Sequence, residues 1–234
     1  MVKNGLEFLD RPYVAHTLEV NDKEELVINC DEVDCTTFVE YTLAMSLCTP
    51  HNGEISEPEF IAKVQQLRYR NGTINGYTSR LHYTSEWINN AIKLGYIEDV
   101  AAKNSPYTAK LELSFMSTHP QLYKHLKESP DNVAKMRTIE QSLSGQEFHY
   151  VPKDKLPNNG LPWIQSGDIL CLVSNTPGLD LAHLGLAFYV EGKLCLLHAS
   201  SSQKKVVISK VSLREMMKRN SNWTGVRVLR IQSE

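Results

Sequence analysis

Residues 34–48 read DCTTFVEYTLAMSLC, from Asp34 to Cys48. Phe38, Tyr41, Thr42 and Met45 recur there at spacings of three and four, the period of one helix face. Asp34 carries a side chain suited to accept from the unpaired N–H groups of a first helical turn. The spacing predicts a helix opening directly after Asp34, with Cys35 in its first turn. Unpaired N–H groups and the positive end of the helix dipole favour a thiolate, so Cys35 is the candidate nucleophile. The other four cysteines lack that placement. Cys30 lies in an extended stretch before the helix, Cys48 near its far end, and Cys171 and Cys195 in apolar runs.

A cysteine nucleophile needs an imidazole to take and return a proton, and usually a third group to hold that ring. Among eight histidines, His183 opens AHLGLAFYV and His198 closes CLLHASS, on either side of Glu191-Gly192-Lys193, which reads as a hairpin turn. Antiparallel pairing about Gly192, with ends near positions 183 and 200, brings the histidines within about two residues of facing each other. A lone histidine at a strand end is ordinarily a surface or satisfied residue; the conjunction with Cys35 is what singles this pair out.

The first half reads as helical. Ser56 and Glu59 form a capping box with Pro58 early in the helix, and Ser85 caps a helix bearing Trp87, Ile88, Ala91 and Ile92 that stops at Gly95. Short helices follow Pro120 and Asp131. Pro152–Gly167 reads as a surface connection between two halves. Beyond it, strand-like runs cover Ile169–Val173, Leu184–Val190, Leu194–Leu197, Val206–Ile208 and Val226–Ile231, with a helix capped by Ser212 before the last. Helices first and strands afterwards indicate an α+β fold with an antiparallel sheet.

At 234 residues, the chain is of a size for one domain with an insertion, and a net charge of −2 supplies no basic field for nucleic acid or anionic lipid. No apolar run approaches the roughly 20 residues of a membrane span, and the first twenty residues lack a signal peptide's charged and apolar regions. Five cysteines without a CxxC pair make neither a disulfide framework nor a zinc site, and no metal or cofactor is expected.

Pro12-Tyr13, Asp34-Cys35, Gly167-Asp168, His183-Leu184-Gly185 and His198-Ala199 together resemble the motif set of the NlpC superfamily of papain-fold cell-wall hydrolases. PYVAHTLE, DCTTFVEYTLA and GYTSRLHYTSEWI resemble more closely the N-acetylmuramoyl-L-alanine amidase-like family. The resemblance implies a single papain-like (NlpC-type) domain over 1–234. Its helical part would span about 1–150, including an insertion at about 51–146, and its antiparallel sheet about 164–234. It implies Cys35 as nucleophile, His183 as base and His198 as orienting residue, with Tyr13, Asp34 and Thr36 beside them contacting substrate. The substrate would be peptidoglycan fragments (muropeptides), cut between N-acetylmuramic acid, its 1,6-anhydro form included, and L-alanine. A periplasmic or otherwise exported location follows, with the signal segment removed.

DCTT in place of the superfamily's DCSG, and the long helical segment, depart from the γ-D-glutamyl-diamino-acid endopeptidases, which stay as the alternative activity. A non-catalytic muropeptide-binding module is a second alternative. Tyr77, Arg80, His82 and Tyr83, with Glu86 and Trp87, offer aromatic faces and a guanidinium that suit a wall for sugars and carboxylates. The plain alternatives are that Trp87 is helix core and that Arg80 pairs with an internal acid such as Glu86. His82 stands as a competing imidazole.

Overall fold

The computed structural model describes residues 1–50 and 54–232; the first three residues of the expected insertion, 51–53, lie outside the described residues. In chain order the elements are α1 (Val2–Leu6), α2 (Cys35–Leu47), α3 (Glu57–Arg68), α4 (Thr84–Lys93), β1 (Ile97–Asp99), α5 (Val100–Asn104), β2 (Thr108–Lys110), α6 (Phe115–Thr118) and α7 (Pro130–Leu143). There follow β3 (Glu147–His149), β4 (Val151–Pro152), β5 (Ile169–Ser174), β6 (Leu181–Val190), β7 (Lys193–Ser200), β8 (Lys205–Ile208), α8 (Leu213–Arg219) and β9 (Trp223–Ile231). The fold is α+β. Its main sheet runs β1-β9-β5-β6-β7-β8, with β4 also paired to β9, and every pair is antiparallel. Among the described residues, no helix is long and apolar enough to cross a membrane.

Helix α2 begins where Asp34 predicts. The Asp34 carboxylate accepts from the Thr36 and Thr37 N–H groups at 2.9 and 2.8 Å, and the Thr37 hydroxyl accepts from the Asp34 N–H at 2.9 Å. This is a reciprocal capping box with threonine in the place usual for glutamate. The helix presents more than one apolar face, since every residue from Thr37 to Ala44 is buried. Helices α1 and α3 cover it on one side and strands β6 and β7 on another. Glu40, inside this packing, is held by Arg68, whose Nε donates to it at 2.8 Å and whose Nη1 donates to the Val27 carbonyl.

Two caps differ from expectation. Ser56 precedes α3 without a side-chain bond, and the Glu59 carboxylate accepts from the Thr49 N–H instead, so the start of α3 relies on Pro58 and backbone geometry. Helix α4 starts at Thr84, which puts Ser85 inside its first turn. There the Ser85 N–H donates at 2.6 Å to the carboxylate of Asp180, a residue from just before β6. At the other end Gly95, at φ +74°, closes α4 by donating to the Ile92 carbonyl.

The sheet is buried on both faces, and side-chain alternation along β5 shows why. Ile169, Cys171 and Val173 join the core that contains α2, while Leu170 and Leu172 join a second cluster with Leu213 and Met217 of α8 and Val100 and Ala101 of α5. A fully covered strand reads as a continuous apolar run. The expected break between helical and sheet halves is looser than the sequence suggested. Strand β1, from the helical half, and β4, at the boundary between the halves, pair with β9, and β2 with β3 forms a separate small sheet. At two or three residues each, these strands are too short to leave a period in the sequence.

Candidate active site

Strands β6 and β7 turn at Glu191-Gly192, where both residues have positive φ, +48° and +75°, and they pair from Val190↔Lys193 to Leu186↔Leu197. Beyond that point they part. Gly185 sits at the fork, where a Cβ would lie 2.8 Å from the Leu197 carbonyl oxygen and 2.8 Å from the Leu196 side chain. Only glycine allows the backbones to approach this closely before separating. Across the gap, His183 Nε2 lies 2.6 Å from His198 Nδ1, with the rings perpendicular. The pairing of backbones expected as far as 183 and 200 is thus replaced by a hydrogen bond between the two side chains.

The other edge of β6 also breaks its ladder here. Leu172 pairs with His183 but Val173 pairs with Leu181, which leaves Ala182 as a one-residue bulge directly before His183. A second irregularity, between Val173↔Gly225 and Ser174↔Trp223, leaves Thr224 unpaired. Bulges re-aim the side chains next to them. The outcome is that the Trp223 ring lies parallel to the His183 ring, at 5.7 Å and 8°.

Cys35 is the first residue of α2, and the Leu184 N–H and the Thr36 hydroxyl are near enough to its sulfur to favour the thiolate. The sulfur is therefore close to Leu184 of β6, one residue along the chain from His183. The Asp34 carboxylate is taken up by the N–H groups of Thr36 and Thr37, so the Cys35 N–H is not used by the cap.

The electrostatics differ from the expected thiolate. Burial pushes the Cys35 thiol up to about 12, and the negative Asp34 adds to that rise, against smaller opposing contributions from the Leu184, Thr36 and Cys35 hydrogen bonds. The carboxylate that starts the helix thus offsets the helix's own preference for an anion. Burial also pulls His183 down to about 3, with the neighbouring His198 contributing, and His198 down to about 4. The resting site holds a neutral thiol and two neutral imidazoles. The 2.6 Å contact takes one N–H, from either ring, between His183 Nε2 and His198 Nδ1. With His183 donating, its Nδ1 keeps a lone pair able to accept a proton.

Tyr13 reaches the same place. Pro12 bridges to Lys205, and the Tyr13 N–H donates to the Lys204 carbonyl at 2.9 Å, laying this segment along the edge of β8. Burial, with smaller contributions from Cys35 and Asp34, raises the Tyr13 hydroxyl to about 12. Gly167-Asp168 has a structural part: Asp168 accepts from Arg230 Nε and Nη2 at 2.7 and 2.8 Å, clasping the approach to β5 against β9.

The Tyr77–Tyr83 segment is largely turned inward. Arg80 lies 3.2 Å from both Glu19 and Glu24, over the Tyr77 ring, and Glu86 pairs with Arg70 instead. The Tyr83 hydroxyl donates to Glu140 at 2.7 Å, and His82 Nε2 donates to the Tyr77 carbonyl at 2.8 Å. Tyr77, Tyr83 and Trp87 are buried. The groups expected to face substrate are engaged with protein partners, and desolvation holds His82 neutral.

Absent from the sequence reading are Trp223 and the cleft beside the histidines. This cleft, of about 480 Å³, is lined by Ser200–Gln203, Ser209, Lys210, Met216, Arg219 and Trp223 with His183 and His198. The serine run after His198-Ala199 was the visible signal. Trp223 carried none, because only the irregular β5–β9 register brings it to His183.

The family described as N-acetylmuramoyl-L-alanine amidase-like (AmiA-like) matches residues 3–226. A solved structure of an N-acetylmuramoyl-L-alanine amidase from Bacteroides uniformis is 60% identical, with a TM-score of 0.98 over 99% of this chain and 98% of that one. A Bacteroides fragilis protein, described as "a putative xylanase", is also 60% identical, with a TM-score of 0.96 over 98% of this chain and 100% of that one. A Legionella pneumophila protein at 20% identity shares the fold, with a TM-score of 0.73 over 99% and 88% of the two chains. No curated protein matches.

Proposed function

Since the chain belongs to the N-acetylmuramoyl-L-alanine amidase-like family, we propose that it hydrolyses the amide between the lactyl group of N-acetylmuramic acid and L-alanine in peptidoglycan fragments, with Cys35 as nucleophile in a papain-like arrangement of the NlpC type. The observation that carries this reading is the hydrogen-bonded His183–His198 pair, one residue from Leu184, whose N–H is near the Cys35 sulfur. Because thiol and imidazole both rest neutral, the nucleophile is generated as it attacks. His183 Nδ1 takes the Cys35 proton as sulfur adds to the carbonyl, and then gives it to the departing L-alanine nitrogen. Water activated by the same nitrogen hydrolyses the thioester. The Cys35 N–H and the Tyr13 hydroxyl are the donors available to the oxyanion. His198, accepting from His183 Nε2, keeps the ring in the working tautomer.

The relative described as a xylanase directs attention to glycoside chemistry, which uses two carboxyl groups flanking the scissile bond. No Asp or Glu is among the described residues lining the histidine cleft. The amidase reading is tested by incubating wild type and Cys35→Ala with defined muropeptides, the 1,6-anhydro form included, and identifying the products by mass spectrometry. Free L-Ala-headed peptide from wild type alone supports it. Cleavage between D-Glu and the diamino acid points to the endopeptidase, binding without turnover to a recognition module, and turnover by Cys35→Ala removes the nucleophile assignment.

A further inference from the structure

We propose that the cleft beyond His183 is the subsite for the amine-side half of the substrate, and that Lys210 and Arg219 make it selective for a peptide with free carboxylates. This rests on the amidase reading above. The group that protonates the leaving nitrogen must touch it, so the departing chain extends from Cys35 past His183. Among the described residues, a cleft of about 480 Å³ opens against His183, bounded by His183, His198 and Trp223. Its charge runs against that of the whole chain. The protein carries a net charge of −2, yet the charged side chains among the described lining residues are Lys210 and Arg219, both on exposed residues. The nearest acid to Arg219 is Glu215, 4.0 Å away on the preceding turn of α8, which leaves the guanidinium fork open for a planar, two-oxygen partner. Ser200, Ser201, Ser202 and Gln203 supply the neutral donors and acceptors of a peptide-binding wall. A peptide that begins with L-alanine and continues through γ-linked D-glutamate to a diamino acid has carboxylates to fill such a site.

The experiment compares muramoyl peptides carrying L-Ala–γ-D-Glu–L-Lys with the same compounds amidated at both carboxylates, using wild type and the K210Q/R219Q double variant. A pair of exposed charge contacts predicts a wild-type preference for the acidic substrate of about five- to tenfold in kcat/KM. The preference is expected to sit in KM, to shrink as salt rises, and to fall to about twofold or less in the double variant. Equal losses on acidic and amidated substrates, or an unchanged preference in the double variant, overturn the subsite. Direct binding of the free tripeptide to C35A and to C35A/K210Q/R219Q separates this result from the reaction itself. If wild type releases no L-Ala-headed peptide but C35A binds the acidic tripeptide through these two cations, the amidase reading falls and the subsite stands. If wild type releases the peptide and the tripeptide binds C35A no better than its diamide, the subsite falls and the amidase stands.

Discussion

Cys35 illustrates how one residue's neighbours reverse its expected chemistry. A helix start favours a thiolate, yet burial and the adjacent Asp34 carboxylate push this thiol up to about 12. Alkylation of Cys35, followed by mass spectrometry with Cys35→Ala as the reference, is therefore expected to be slow at neutral pH and to keep accelerating beyond pH 9; a rate already at its plateau by pH 7 contradicts this. His183 is the counterpart. Its ring is held neutral by burial down to about 3, and Trp223 supplies part of that cover. Trp223→Ala is expected to return the His183 pKa towards its ordinary value near 6.5. The acid limb of kcat/KM against pH then moves upward, by about one unit or more if the stacked indole is a main source of desolvation. Asp34, Cys35, His183 and His198 were legible as residues because each sits at the edge of a periodic run. Their titration was not, because it depends on what buries them.

Among the elements, local chemistry was visible where its partner is close in sequence. The Asp34 cap of α2 and the Ser212 cap of α8, whose hydroxyl accepts from the Glu215 N–H, both act within three residues. Helix α4 is capped from 95 positions away, by Asp180, and no local reading finds such a partner. Asp180→Ala is expected to cost about 1–2 kcal/mol, as for loss of an N-cap. Urea unfolding measures it, and a wild-type midpoint would show that Ser85 needs no carboxylate. The parting of β6 from β7 was likewise hidden. Gly185 was visible as part of a motif, but its reason, the approach of the Leu197 carbonyl, exists only in the folded sheet. The Ala182 bulge gives length a meaning that composition lacks. Removing that residue would restore a regular ladder and turn the side chains before the deletion to the opposite face.

At the scale of the whole molecule, buried charge ties the long irregular segment ahead of α2 to the helical part. Arg68 binds both Glu40 and the Val27 carbonyl, Arg80 engages Glu19 and Glu24, and the Tyr69 hydroxyl donates to Glu24. Arg68→Met is expected to cost roughly 3–5 kcal/mol, because it leaves the Glu40 carboxylate buried without its counter-charge. The Arg68→Met/Glu40→Leu pair is expected to recover much of that loss in chemical denaturation, since both charges are then gone. The α+β class was readable from the change of period after Gly167; the weave of β1 and β4 onto β9 was not. That weave has a consequence for a chain made from its N-terminus onward. Strand β9 follows β1, β4 and β5 in the chain yet lies between them, so until its residues join the sheet, β5 has one edge open and the His183 ring lacks its indole neighbour. Closing the middle of the sheet and setting the indole against the imidazole are thus one event, so an intermediate without β9 in place has neither.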